Sequence, residues 1–192
     1  MTFKRSSGIL LHPSSLPGPY GIGDLGPQAF RFVDWLASTG SKIWQILPLG
    51  PTGYGDSPYQ CFSAFAGNPY LISPDDLLAE NLVTEEDLVE LKELPASKVD
   101  FGLFIPKKLD LLAKAFQRYQ ADPEPLRDAF NYFCAENAYW LDDFALFMAL
   151  KEANGGGAWN GWDPALRTRK KTALTKAKKE QAINVERFSF YQ

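Results

Sequence analysis

An almost wholly apolar run, Ile43-Trp44-Gln45-Ile46-Leu47-Pro48-Leu49, passes directly into the polar and aromatic loop Gly50–Gln60, GPTGYGDSPYQ. Gln45 is the only strongly polar side chain of the run, which therefore reads as a strand buried on both faces of a parallel sheet. A glycine-rich loop at the carboxyl end of such a strand is how parallel α/β folds build a site. Its glycines and prolines fix a backbone path. Tyr54, Asp56, Ser57, Tyr59 and Gln60 supply rings and hydrogen-bonding groups, without a strong nucleophile or base. That inventory suits holding a sugar better than breaking one.

Upstream, Gly8–Leu11 is a short apolar run closed by His12-Pro13-Ser14-Ser15, and a loop rich in Pro and Gly continues to Gly26. Pro27 stands where a first helical residue should, Ala29, Phe32, Val33 and Leu36 recur on one face, and Gly40 follows as a C-terminal cap. The unit is βαβ, with a right-handed crossover expected. After Ile72 the pattern turns helical. Ser73-Pro74-Asp75-Asp76 and Thr84-Glu85-Glu86-Asp87 each read as a helix start with a capping hydroxyl and acidic residues at the positive end of the dipole. Pro106 is expected to open a further helix, and Pro125 a longer one whose Phe130, Phe133, Cys134, Leu141, Phe144, Ala145 and Met148 keep helical spacing up to Asn154-Gly155-Gly156-Gly157. From Ala165 the chain is helical again, first basic and then apolar.

The bulk of the chain narrows its partners. At 192 residues, 45% hydrophobic and 14% aromatic, it can bury a core, and a formal charge of −3 gives no global reason to bind nucleic acid or an anionic membrane. Cys61 and Cys134 are far apart and lack zinc-site spacing, so neither a disulfide framework nor a metal site is expected. The first residues lack a signal-peptide core, and no run reaches the roughly 18 residues of a membrane span. A cytoplasmic protein is the default, or a plastid one if a transit peptide has been removed.

Two parallel strands and one crossover cannot cover both faces of a sheet, and a βα barrel needs typically about 250 residues, so the chain is expected to be the front of a larger fold. The segments SGILLHPSSLPGPYGIGDLG from Ser7 to Gly26, KIWQILPLGPTGYGDSPYQ from Lys42 to Gln60, and FSAFAGNPYLIS from Phe62 to Ser73 closely resemble the amino-terminal part of amylomaltases, the 4-α-glucanotransferases or disproportionating enzymes of the α-amylase clan. YWLDDFALFMALK from Tyr139 to Lys151 and GGGAWNGWDPALR from Gly155 to Arg167 carry the likeness along the chain. The resemblance implies an α/β fold: the start of a (β/α)8 TIM barrel with a mostly helical insertion after the second strand. On that division, residues 1–72 are the first βαβ unit with its substrate loop, 73–164 the insertion, and 165–192 a helix leading back toward the rest of the barrel.

The resemblance also implies transfer of α-1,4-glucan segments between maltooligosaccharides, or to glucose as acceptor, with retention of configuration and no cofactor. Retention uses two carboxyl groups about 5 to 5.5 Å apart. The nucleophilic Asp, the acid/base Glu and a third Asp are expected beyond residue 192, so none of the catalytic residues is assigned here and this chain alone is expected to be inactive. The loop is what carries over: Tyr59 resembles a tyrosine that stacks on the sugar at the cleavage subsite, Ser57 a residue that hydrogen-bonds the glucan, and Asp56 a second such residue or an orienter of the loop. Tyr54 is similar to an aromatic residue of a remote glucan groove. Its partner there falls at Phe101, where some members have tyrosine.

Other residues read as structural. His12 is the sole histidine and has no second ligand. Asp142 and Asp143, adjacent on a helix, point about 100° apart and cannot face one another. The basic stretch Arg167–Lys179 reads as a solvated helix face, and Trp159 and Trp162 as packing residues around a glycine turn. A competing reading is a non-catalytic glucan-binding or interaction module, or an inactive remnant, that reuses the same βαβ unit.

Overall fold

The computed structural model describes residues 4–192, so the first residues of the segment read for a leader lie outside it. The chain divides into two compact units, one ending at Ala121 and the other spanning Asp122–Gln192.

In the first unit, β1 (Gly8–Leu10) and β2 (Ile43–Gln45) form a parallel pair in the register Gly8↔Ile43, Ile9↔Trp44, Leu10↔Gln45. Between them runs α1 (Pro27–Ser38), opened by Pro27, which has no amide to leave unsatisfied, and ended beside Gly40 at φ +79°. The βαβ reading therefore holds. The expected two-sided burial of the second strand does not: Leu10, Ile43 and Ile46 are exposed. A sheet of two strands leaves each with a free edge, and the described residues lay no second layer over these side chains.

Both helix starts after Ile72 form as their chemistry dictates. Ser73 Oγ accepts from the Asp76 amide at 3.2 Å and caps α2 (Pro74–Ala79). Thr84 and Asp87 cap each other, Asp87 Oδ2 accepting from the Thr84 amide at 2.9 Å and Thr84 Oγ1 from the Asp87 amide at 3.4 Å, ahead of a 3₁₀ turn and α3 (Val89–Lys92). Arg118 adds an ion pair to Asp87 at 2.7 Å. Pro106 does not open a helix. It lies inside α4 (Phe101–Ala121), which starts where Asp100 Oδ1 accepts from the Leu103 amide at 3.2 Å. Pro106 sits in the second turn, where only the carbonyl four residues back, that of Gly102, loses its partner.

The centre of this unit is built around a lysine. Lys108, 1% exposed among Phe104, Leu111 and Leu112 of the same helix, donates its ammonium to the Ile72 carbonyl. Asp24, also buried, accepts from the Gly26 amide at 2.9 Å and supplies the nearby negative charge. Leu25 donates to Leu71 at 3.0 Å, and Gly26 lies so close to Ser73 Oγ that no Cβ fits there.

In the second unit, α5 (Glu124–Ala153) packs along α8 (Ala182–Phe190) and also meets α7 (Lys171–Glu180). Pro125 is the second residue of α5, within a position of its expected place. The stretch from Ala165 is not one helix. The short α6 (Pro164–Arg167) ends in a Schellman turn, with Lys170 N donating to Ala165 O at 2.9 Å and Arg169 at φ +53°. Asp142 and Asp143 are exposed and tie α5 to the basic segment, pairing with Lys178 at 2.9 Å and Arg169 at 2.8 Å. No described helix is long and apolar enough to cross a membrane.

Burial lowers the pKa of Lys108 from 10.5 to about 8, with Asp24 opposing the shift. Between about pH 8 and 10 the unfolded chain then binds more protons than the folded one, so stability contributed at this site rises with pH. Urea unfolding across that range is expected to show the rise in the native chain and to lose it in Lys108→Met; a flat native profile would contradict the burial.

Candidate functional site

Because β1 and β2 are parallel, the segments that follow them emerge at the same end. His12-Pro13-Ser14-Ser15 follows β1 there as a 3₁₀ turn; β2 ends at Gln45, short of the strand expected to Leu49, and the chain runs through residues 46–49 without regular structure to the loop Gly50–Gln60.

The loop is closed like a small hairpin. Gly53 donates to the Gln60 carbonyl at 2.8 Å, Phe62 to the Pro51 carbonyl at 3.1 Å, and Thr52 pairs with Cys61 as an antiparallel bridge. At its root Asn68 donates to Leu49 at 2.7 Å. Gly50 is required by this closure, since a Cβ there would meet Ser63 O at 2.7 Å and Cys61 Cβ at 2.8 Å. The tip is a 3₁₀ turn, Tyr54–Asp56, with Gly55 at φ +66° and Asp56 at φ +52°. Asp tolerates this left-handed conformation better than most residues.

That backbone presents the predicted residues in two groups. Tyr54 and Tyr59 project into solvent, 87% and 71% exposed, which leaves both phenol rings free for contact. Ser57 Oγ accepts from the Tyr59 amide at 3.3 Å, tying the serine to the backbone that carries the ring. Asp56 instead lines a cavity of about 240 Å³ together with Phe101, the first residue of α4. The structure thus places Phe101 beside Asp56, while Tyr54 stands out from the loop tip.

His12 and Thr52 also line the cavity: the buried Oγ1 of Thr52 has no partner, while the His12 ring lies against the Pro48 backbone. His12 Nδ1 lies 2.7 Å from Ser14 Oγ and accepts from the Ser14 amide at 3.3 Å, which assigns the ring proton to Nε2. Burial lowers the pKa of the ring, favouring the neutral imidazole. The structural reading of His12 fits its capping of the 3₁₀ turn Pro13–Ser15, and the ring also lines this cavity. The signal was its position just past the first strand of a parallel pair, the same end as the loop. Among the described residues no cluster of His, Cys, Asp and Glu is arranged to hold a metal ion.

Gly50→Ala is expected to destabilise the chain by about 1–3 kcal/mol and to speed amide hydrogen exchange in residues 50–62. Unchanged exchange would show that the loop does not depend on the close approach at Gly50.

Comparison with known proteins gives the family. The family model described as 4-alpha-glucanotransferase matches residues 11–192. The 4-alpha-glucanotransferase of Thermus thermophilus is 50% identical over 194 residues, covering 100% of this chain and 38% of that protein. The chloroplastic/amyloplastic 4-alpha-glucanotransferase of Solanum tuberosum is 40% identical, covering 89% of this chain and 30% of that one. Among solved structures, an amylomaltase from Streptococcus agalactiae in complex with acarbose superposes with a TM-score of 0.91 at 38% identity, covering 98% of this chain and 38% of the other. The chain thus spans between 30% and 38% of the length of these relatives. Its fold is the α/β fold of that amylomaltase over the shared part, and the chain belongs to the 4-alpha-glucanotransferase family.

Proposed function

We propose that this chain forms part of the glucan-holding wall of a 4-α-glucanotransferase that transfers α-1,4-glucan segments between maltooligosaccharides or to glucose, in the cytoplasm or a plastid. The observation that carries the proposal is the loop Gly50–Gln60, held in one conformation by its own hydrogen bonds with two tyrosine rings free at its surface. A flat phenol matches the C–H face of a pyranose, and the hydroxyl of Ser57 and the carboxylate of Asp56 can bond the sugar's hydroxyls. The solved neighbour that holds acarbose, 38% identical over nearly the whole of this chain, supports a sugar ligand. On this reading Tyr59, Ser57 and Asp56 serve the cleavage subsite. Tyr54 and Phe101 serve the remote groove, with Phe101 lacking a hydroxyl to add.

In the barrel reading, residues 1–72 supply the first βαβ unit, 73–164 an insertion and 165–192 the return. The exposed apolar side chains of β1 and β2 fit strands that take further neighbours in a closed sheet. The retaining mechanism needs a facing pair of carboxyl groups. Asp56 is the single carboxylate of the loop, and Asp142 and Asp143 are held by Lys178 and Arg169. The role proposed for this chain is therefore binding and orientation, with the bond-breaking groups contributed from outside it.

Two measurements test the proposal. The purified 192-residue chain is expected to release no glucose from maltotriose, and turnover would refute the assignment. Calorimetric titration with maltoheptaose is expected to show binding that Tyr59→Ala weakens about tenfold and Tyr59→Phe largely keeps. Equal affinity of the native chain and Tyr59→Ala would remove Tyr59 from the site.

A further inference from the structure

Trp159 and Trp162 have no part in the loop. They belong to the second unit, flanking the Asn160-Gly161 turn between α5 and α6. With Phe147, Leu166, Asp143 and Arg167 they line a cavity of about 330 Å³.

Trp162 is 8% exposed and packs its ring against Phe147, centroids 5.5 Å apart. Its indole Nε1–H is buried without a partner. Leaving a buried donor unpaired is costly, and a native site that does so calls for an explanation. Trp159 presents the opposite case, 57% exposed, so that a large apolar ring is spent on solvent. The rim is polar and fixed: Arg167 Nη1 donates to Asn160 O at 3.0 Å, and Arg169 holds Asp143 through two bonds of 2.9 and 2.8 Å.

A ligand that suits this wall is flat and apolar on one face and carries hydroxyl groups at its edge. A purely apolar molecule would leave the Trp162 N–H unpaired. A free anion drawn to Arg167 would meet the Asp143 carboxylate on the same rim. A pyranose suits this wall, laying its C–H face on the exposed Trp159 indole while its hydroxyl groups meet the Arg–Asp rim, and a turn of the Trp162 ring toward the pocket would bring its buried Nε1–H to a hydroxyl oxygen. We infer that the pocket between Trp159 and Trp162 is a second binding site for α-1,4-glucan, carried by the second unit and separate from the Gly50–Gln60 loop. The choice of α-glucan over other hydroxylated rings rests on the function proposed above; the demand for a hydroxylated ring does not.

Titration of the full ¹⁵N-labelled chain with maltoheptaose tests this, read at the indole N–H signals of Trp159 and Trp162 as assigned from Trp159→Phe and Trp162→Phe. The Trp162 signal is expected to shift saturably. Trp159→Ala, a change at an exposed ring, is expected to weaken that response about tenfold, and Trp162→Phe to weaken maltoheptaose binding while the spectrum stays dispersed. Tyr54→Ala and Tyr59→Ala are expected to leave the Trp162 response in place. Movement of loop resonances with no movement at Trp162 would overturn the pocket alone. Movement at Trp162 with a silent loop would support the pocket and sink the loop reading instead. An equal shift with sorbitol, which has no ring face, would also overturn it.

Discussion

The first unit depends on keeping one ammonium group content in a dry interior. An ion moved into a protein core loses hydration worth several kcal/mol even after relaxation, unless polar partners replace the water. Lys108 finds the Ile72 carbonyl, and Asp24 lies near enough to oppose the loss of charge. This requirement joins three stretches remote in sequence: the loop at Asp24–Gly26, the turn at Leu71–Ser73 and the middle of α4. The closeness of Gly26 to Ser73, the bond from Leu25 to Leu71 and the cap that Ser73 gives α2 all belong to the same junction. Because α4 is anchored there, its first residue, Phe101, is brought to the cavity that Asp56 lines.

The sequence was most legible where local chemistry decides structure. Pro27 and Gly40 bracket α1, and Ser73 and Thr84 accept the bonds expected of caps. Ile43–Leu49 announced a parallel strand, of which Ile43–Gln45 forms one beside Gly8–Leu10. It was least legible where a local rule has two solutions. Proline is tolerated at a helix start, so Pro106 read as one, yet Asp100 caps the helix earlier and only one carbonyl is left without a donor. The basic segment carried no glycine to mark its break, and Arg169 takes the left-handed position that glycine usually fills. Long-range features gave no such signal. Helical spacing sets Lys108 on the face of Phe104, Leu111 and Leu112, but nothing in the sequence supplies its distant partners Ile72 and Asp24, and nothing in the spacing of Trp159 and Trp162 shows that one indole faces solvent while the other lacks an acceptor.

The candidate site divides its work by element. The strands set the end of the sheet at which both loops emerge, the hairpin closure fixes the second loop, and α4 provides the far wall through Phe101. None of these parts offers a facing carboxyl pair. What they carry is exposed rings, hydroxyl groups, one carboxylate and a neutral imidazole, and the proposed binding role rests on these.

The self-closure of the Gly50–Gln60 loop bears on the entropy of binding. Fixing the backbone of one residue takes roughly 1–2 kcal/mol at room temperature, and a mobile loop would incur that loss when its ligand arrives. Here the bonds from Gly53 to Gln60, Phe62 to Pro51 and Asn68 to Leu49 impose the order during folding. On the proposed glucan-holding role, an incoming sugar would give up its own freedom and little of the protein's. A floppy loop bearing the same tyrosines, serine and aspartate would make every one of the same contacts and still bind more weakly.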